Sequence, residues 1–188
     1  LFAVTASWAS ADDLRKKKIL YVNSYHSGYE WSDDIEKGLL KALNIQLNPD
    51  GTYGSSASDI ELKVFRMDTK LNNSEAFKKQ AALSAKAIID EWQPDIVVTS
   101  DDNAAKYLIA PYYKNSALPF VFCGLNWDAS VYGFPVSNVT GMVEISPVRE
   151  TIAMMRKYAK GDRIGFIGSE NLSAHKDIDN YMKALLDA

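Results

Sequence analysis

KKILYVNSYHSGYEW, residues 17–31, joins two unlike halves. KKILYVNS is apolar without alternation, which is how a strand reads when both of its faces are buried in a parallel sheet. The segment that follows has no helical or strand period, yet it carries Tyr25, His26, Tyr29 and Trp31. Large rings on a loop need a surface to stack on. The first question is therefore where the carboxyl end of this strand lies.

Outward from it, strand-length apolar runs alternate with segments of helical period, the order expected of a parallel sheet covered by helices. A helix follows the loop, with Ser32 as its expected N-cap and Ile35, Leu39, Leu40 and Leu43 as its apolar stripe. NPDGTYGSSASD (48–59) is a polar, turn-rich connection, and IELKVFRM (60–67) is the second strand, with Ile60, Leu62 and Val64 on one face. A long helix from Ser74 to Trp92 is stopped by Pro94. DIVVTS (95–100) is the third strand, with a helix opening near Asp102 and ending around Pro111, and LPFVFCG (118–124) is the fourth. VTGMVEI (139–145) reads as a further strand or crossover, PVRETIAMMRKYA (147–159) as a helix, DRIGFIGS (162–169) as a new strand and AHKDIDNYMKALLDA (174–188) as a new helix.

Composition narrows the function. The 188 residues are 47% hydrophobic and 24% charged, with a net charge of −3. That is globular material with no positive excess for a phosphate backbone, so nucleic acid is not expected as a partner. LFAVTASWASADD (1–13) reads as the tail of a secretory signal peptide, with residues 1–11 the remnant and cleavage expected after Ala11. One cysteine, Cys123, excludes an intrachain disulfide and reads as a small buried hydrophobe. The sequence has no GxGxxG after the first strand, no GxxxxGK[ST] and no GxSxG. His26 and His175 have no second ligand at metal spacing, so neither metal nor cofactor is expected, and the chain reads as a binder and not an enzyme.

In an open parallel sheet, ligands bind outside the carboxyl ends of the strands, where strand order reverses. With strand order 2-1-3-4, the loops after strands one, three and four converge there. They carry Ser24, Tyr25, His26, Tyr29, Trp31, Ser100, Asp101, Asp102, Asn103, Asn126, Trp127 and Asp128, aromatic planes among a few directional polar groups, as in a small-molecule pocket. Each has a plain structural alternative: Tyr29 and Trp31 as a staple on the next helix, Asp102 as an N-cap, Gly28 and Gly124 as turn residues. Two adjacent carboxylates at a helix start repel phosphate, whereas carboxylates beside rings suit an ammonium or guanidinium group. An amino acid or similar small zwitterion or amine fits that chemistry.

ILYVNSYHSGYEWSDDIEKGL (19–39), VVTSDDNAAKYL (97–108), LPFVFCGLNW (118–127) and NVTGMVE (138–144) together resemble the bacterial ABC-transporter substrate-binding family that includes tryptophan/tyrosine-type binding proteins. They are especially similar to its subgroup found as extracytoplasmic sensor regions of histidine kinases and diguanylate cyclases. The resemblance covers residues 18–187. It implies an α/β, type I periplasmic-binding-protein-like fold, a Rossmann-like parallel sheet flanked by helices, in which residues 18–138 form the first lobe and 139–188 the crossover and only the start of a second lobe. Carried over by position, it puts Ser24, Tyr25, His26, Asp101, Asp102, Asn103, Gly124 and Asn126 on one wall of an interlobe cleft, and Ser169 and Glu170 on the other. The function it implies is that of a periplasmic solute-binding protein that delivers a small molecule to an ABC permease. The alternative is the ligand-sensing domain of a membrane signalling protein.

Overall fold

The computed structural model of the chain describes residues 16–54, 59–161, 163–165, 167 and 172–186. The expected signal remnant and the site residues Ser169 and Glu170 lie outside the described residues. The sheet is built from β1 (Lys17–Asn23), β4 (Ile60–Arg66), β5 (Ile96–Ser100), β6 (Phe120–Asn126) and β7 (Val139–Glu144), in the order β4-β1-β5-β6-β7, all pairs parallel. The expected order 2-1-3-4 is present in its first four positions. The VTGMVEI stretch is a strand and adds β7 at the edge. A short antiparallel pair, β2 (Gln46–Leu47) with β3 (Tyr53–Gly54), occupies the polar connection before β4.

The unbroken apolar run of β1 has the cause expected of it. Ile19 and Tyr21 join Leu62 in one core layer, closed by Ile35, Leu39 and Leu40 of α1 (Glu30–Ala42) and by Leu43 at its C-cap. Leu20 and Val22 point the other way, into a larger layer with Val97 and Phe120, closed by Ala81, Ala82, Ala85 and Ile89 of α2 (Glu75–Trp92). Each such side chain removed from water contributes about 1.5–3 kcal/mol, so the alternating directions of one strand anchor both layers. The same larger layer receives the helix after β5, which runs as α3 (Asp101–Ala104), a π turn (Ala105–Ile109) and α4 (Ala110–Tyr112). Pro111, which has no N–H to continue the helical ladder, lies in its last turn.

Local signals set both ends of α2 but not the start of α1. Ser74 caps α2 by accepting the Phe77 N–H, and Gln93 closes it in the left-handed conformation ahead of Pro94. Helix α1, however, is capped at Tyr29 and begins at Glu30, one turn earlier than the Ser32 cap predicts. Ser32 is fully buried, and its hydroxyl donates to Asn23 Oδ1 (2.8 Å), so a long-range partner at the end of β1 has taken the capping side chain. Beyond β7, α5 (Val148–Tyr158) and α6 (Leu172–Leu186) pack together through Val148 and Ile152 with Tyr181 and Leu185. The expected strand at 162–169 is not formed where it is described: Arg163–Gly165 and Ile167 pair with no strand.

Two positions test this architecture. Between Phe122 and Leu125 the β6–β7 register slips, and at that point Gly141 lies so close that a methyl there would sit 2.0 Å from the Phe122 carbonyl oxygen. Gly141→Ala is expected to lose about 1–3 kcal/mol of stability in denaturant unfolding, with amide exchange of β7 accelerating before that of β5. At the opposite edge, buried Glu36 accepts hydrogen bonds from Arg66 Nη2 and from Tyr53 OH (2.6 Å), tying α1 to β4 and to the β2–β3 pair. Glu36→Ala strands an arginine that is still 27% exposed, so the expected loss is about 2 kcal/mol, below the 3–5 of a fully buried pair.

Candidate functional site

The carboxyl ends of β1 and β5 are stitched together by one side chain. Ser24 Oγ donates to the Ser100 carbonyl (2.6 Å) and accepts the Ala104 N–H (2.9 Å), while its own carbonyl takes Thr69 Oγ1 (2.6 Å) and the Thr69 N–H (3.1 Å). Asn103 Nδ2 completes the knot on Thr69 Oγ1 (2.9 Å). The loops after β1, β4 and β5 are thereby fixed against one another. Ser24, expected to touch ligand, is instead wholly engaged by this scaffold. The Ser100 hydroxyl is likewise taken, by Tyr21 OH at 2.9 Å, and burial drives the Tyr21 phenol pKa upward.

The aromatic loop folds onto this corner. Tyr25 is 4% exposed, its ring set edge-on to Tyr29 (centroids 5.2 Å apart) and tilted to Trp31 (6.0 Å), with His26 5.9 Å from Tyr29. Trp31 reaches across to β6, where a methyl on Gly124 would lie 2.7 Å from its Cη2. Gly124 also has φ +65°, so both its conformation and the space beside it exclude a side chain. Tyr25, Trp31, Gly124 and Asp101 thus form one compact corner, with the Asp101 N–H 3.8 Å from that same methyl position.

The acidic pair splits into two roles. Asp101 adopts φ +70°, a strained conformation for a residue with a side chain, and is 3% exposed. Burial pushes its carboxyl up to about 7, against opposing hydrogen bonds from Tyr25 and the Asn103 N–H and the nearby positive charge of Lys70; the Asp102 charge adds to the rise. Its Oδ1 has no partner, and neither do Asn103 Oδ1, His26 Nδ1 and Asn23 Nδ2 on the same strand ends. Buried polar atoms are seldom left unpaired, so a group of them at one edge marks a place where polar recognition is unfinished.

Asp102 has the opposite fate. Its carboxylate accepts Lys176 Nζ (2.6 Å) and Tyr132 OH (2.7 Å) on Oδ1 and Asn126 Nδ2 (2.7 Å) on Oδ2, and it is 1% exposed. Lys176 also donates to the Asn126 carbonyl (3.3 Å) and to Tyr132 OH (3.1 Å). Burial first, then the Asp102 charge, raises the Tyr132 pKa. Asp102 and Asn126 therefore dock α6 on the strand ends, where the sequence suggests contact with a ligand. Trp127 turns away from the aromatic corner: its Nε1 donates to Asp177 (2.8 Å), and its ring lines a separate cavity of about 490 Å³ with Pro147 and Val148. Asp128 caps the following 3₁₀ turn by accepting the Ser130 N–H.

Of the expected site residues, the structure gathers Tyr25, His26, Tyr29, Trp31, Asp101, Asn103 and Gly124, and commits Ser24, Ser100, Asp102, Asn126 and Trp127 to internal contacts. Lys70 joins the gathered set unannounced. Its Nζ lies over the rings of Tyr25 (4.4 Å) and Tyr29 (4.5 Å), so the aromatic faces already hold a cation of the chain itself. The signal for it was the strand order: in 2-1-3-4, the loop after strand two ends at the same edge as those after one and three.

No protein-family model and no curated protein matches the chain. Solved structures match its fold. It superposes with a TM-score of 0.58 on a ligand-free, open substrate-binding protein with adhesive properties from Clostridium difficile, at 17% identity over 91% of this chain and 52% of that one. A conserved domain protein from Vibrio cholerae O1 biovar El Tor matches with 0.55 at 19% identity, over 76% and 43%. An ABC domain from Streptococcus pneumoniae in complex with L-Trp matches with 0.54 at 17% identity, over 75% and 43%. The chain spans about half the length of these proteins or less. At such identities the likeness is one of fold: the parallel α/β architecture of this chain is that found in substrate-binding proteins.

Proposed function

We propose that the chain is the ligand-binding part of an extracytoplasmic solute receptor, a binding protein and not an enzyme, which captures a small zwitterion or amine of amino-acid type in an interlobe cleft and delivers it to an ABC permease. The observation that carries this reading is the unpartnered, buried Oδ1 of Asp101 beneath the rings of the β1 loop. An acceptor in a dry aromatic corner is matched by a ligand N–H, and an ammonium matches it best once the carboxyl is ionised. The fold neighbours support the same class, since one of them is a substrate-binding protein and another holds L-Trp. Export of the protein belongs to this proposal and fits such a receptor.

The test is a thermal-shift panel of L-tryptophan and other amino acids, amines, sugars and nucleosides. A ligand at 100 times its Kd adds about 2.7 kcal/mol of stability. Shifts are expected from amino acids or amines; shifts confined to sugars or nucleosides contradict the proposal. Asp101 must ionise to pair with an ammonium, so calorimetric affinity for a hit is expected to fall up to about tenfold per pH unit below 7, with proton release on binding. Asp101→Asn, which tolerates the same backbone conformation, is expected to weaken binding by about 2 kcal/mol or more and to abolish the pH dependence. In the absence of ligand the sign is set by the raised pKa. The stability that the protonated carboxyl contributes is fully present below its unfolded pKa and lost as pH rises through about 7, so Asp101→Asn should gain on the parent at pH 8 and match it near pH 4.

A further inference from the structure

Lys70 belongs to no motif of the sequence and lies on the short connection between β4 and α2. Its position is fixed from both sides. Thr69, its neighbour, is held by three hydrogen bonds to Ser24 and Asn103, and its own ammonium rests on two tyrosine rings, at 4.4 and 4.5 Å. Those rings are held in turn, edge to face, at 5.2 Å. A cation placed this firmly on aromatic faces has its charge stabilised but its three N–H donors only weakly used, because a π face accepts far less well than an oxygen. Among the described residues no carboxylate or carbonyl oxygen accepts from Lys70 Nζ.

The charged groups near it differ in how they are paired: Lys70 and Asp101 feel each other's charge, but no hydrogen bond joins them. Lys176 is neutralised by Asp102, and Arg66 by Glu36. Asp101, the remaining acid of the corner, feels Tyr25 and the Asn103 N–H, and its Oδ1 has no hydrogen-bond partner. The corner therefore presents two distinct unfinished groups, an acceptor at Asp101 Oδ1 and a donor cluster at Lys70 Nζ, both touching the same Tyr25. That pairing calls for a ligand with a positive and a negative end a few bonds apart.

Resting on the receptor reading above, we infer that Lys70 is the group that binds the ligand's carboxylate, so that the ligand class is an α-amino acid or comparable zwitterion and not a simple amine. Tyr25 and Tyr29 then serve as the cradle that holds Lys70 in place, and Asp101 takes the ammonium end. A charge-assisted hydrogen bond of this kind is worth about ten- to hundredfold in affinity.

The experiment compares the parent chain with Lys70→Met and Lys70→Arg by calorimetry, using the twenty common L-amino acids and, for each that binds, its decarboxylated amine. The parent is expected to prefer the amino acid over the amine by about tenfold or more, Lys70→Met to lose that preference by weakening only the amino acid, and Lys70→Arg to retain most of it. Near-ultraviolet circular dichroism checks that the tyrosine cradle persists in each variant. Binding of amino acids and amines with equal strength by parent and Lys70→Met overturns the role of Lys70 and leaves the receptor reading standing. Tighter amine binding by Lys70→Met also overturns it, because the lysine would then be occupying the ligand's own cation site. Failure of the parent to bind any amino acid or amine overturns both.

Discussion

The site depends on the hydroxyl of Ser24. One oxygen, donating to the Ser100 carbonyl and accepting the Ala104 N–H, joins the end of β1 to the corner between β5 and α3 across 76 and 80 residues of sequence. That corner is where Asp101 is forced to φ +70° and its carboxyl into the interior. With the corner held, the Thr69 contacts bring in the β4 loop, and Lys70 with it; the aromatic loop then has a fixed surface to close upon. The strain at Asp101 persists because these hydrogen bonds over-determine the local backbone, the circumstance in which such outliers are found at functional positions.

Two aspartates adjacent in sequence are put to different uses by what reaches them. Asp102 is met by Lys176, Tyr132 and Asn126, so its charge is compensated and serves to dock α6 against the strand ends. On Asp101 burial outweighs Tyr25, the Asn103 N–H and the charge of Lys70, and pushes its carboxyl up to about 7. The same helix start therefore holds a structural ion pair and an unfinished acceptor side by side. The first fixes the approach of the chain beyond β7, and the second leaves a buried oxygen without a partner.

Much of this was legible in the sequence. The apolar continuity of β1, the stripe of α1 and the span of α2 follow from local patterns, and the convergence of Tyr25, Asp101 and Gly124 follows from the strand order of a doubly wound sheet. What local patterns do not carry is the partner of a given polar side chain. Ser32 has the residue type and position of an N-cap, yet Asn23 takes its hydroxyl and the helix begins at Glu30, with Tyr29 at its cap. Ser24, Asp102 and Asn126 look like ligand contacts by type and are spent on pairings 24 to 80 residues away in the chain. Trp127, at φ +67°, is turned by its own backbone towards α5 and α6. Lys70 escaped notice for the same reason, since nothing within its own loop announces the two rings it lies on.

The account's central claim is that Asp101 carries an unfinished, protonatable acceptor at the ligand corner. The most direct measurement is carboxyl-carbon NMR titration of Asp101, assigned by its absence in an Asp101→Asn chain. The account predicts a midpoint near pH 7 in the free protein that falls by at least a unit when an amino-acid ligand binds. A midpoint near pH 4, unmoved by any such ligand, would contradict it.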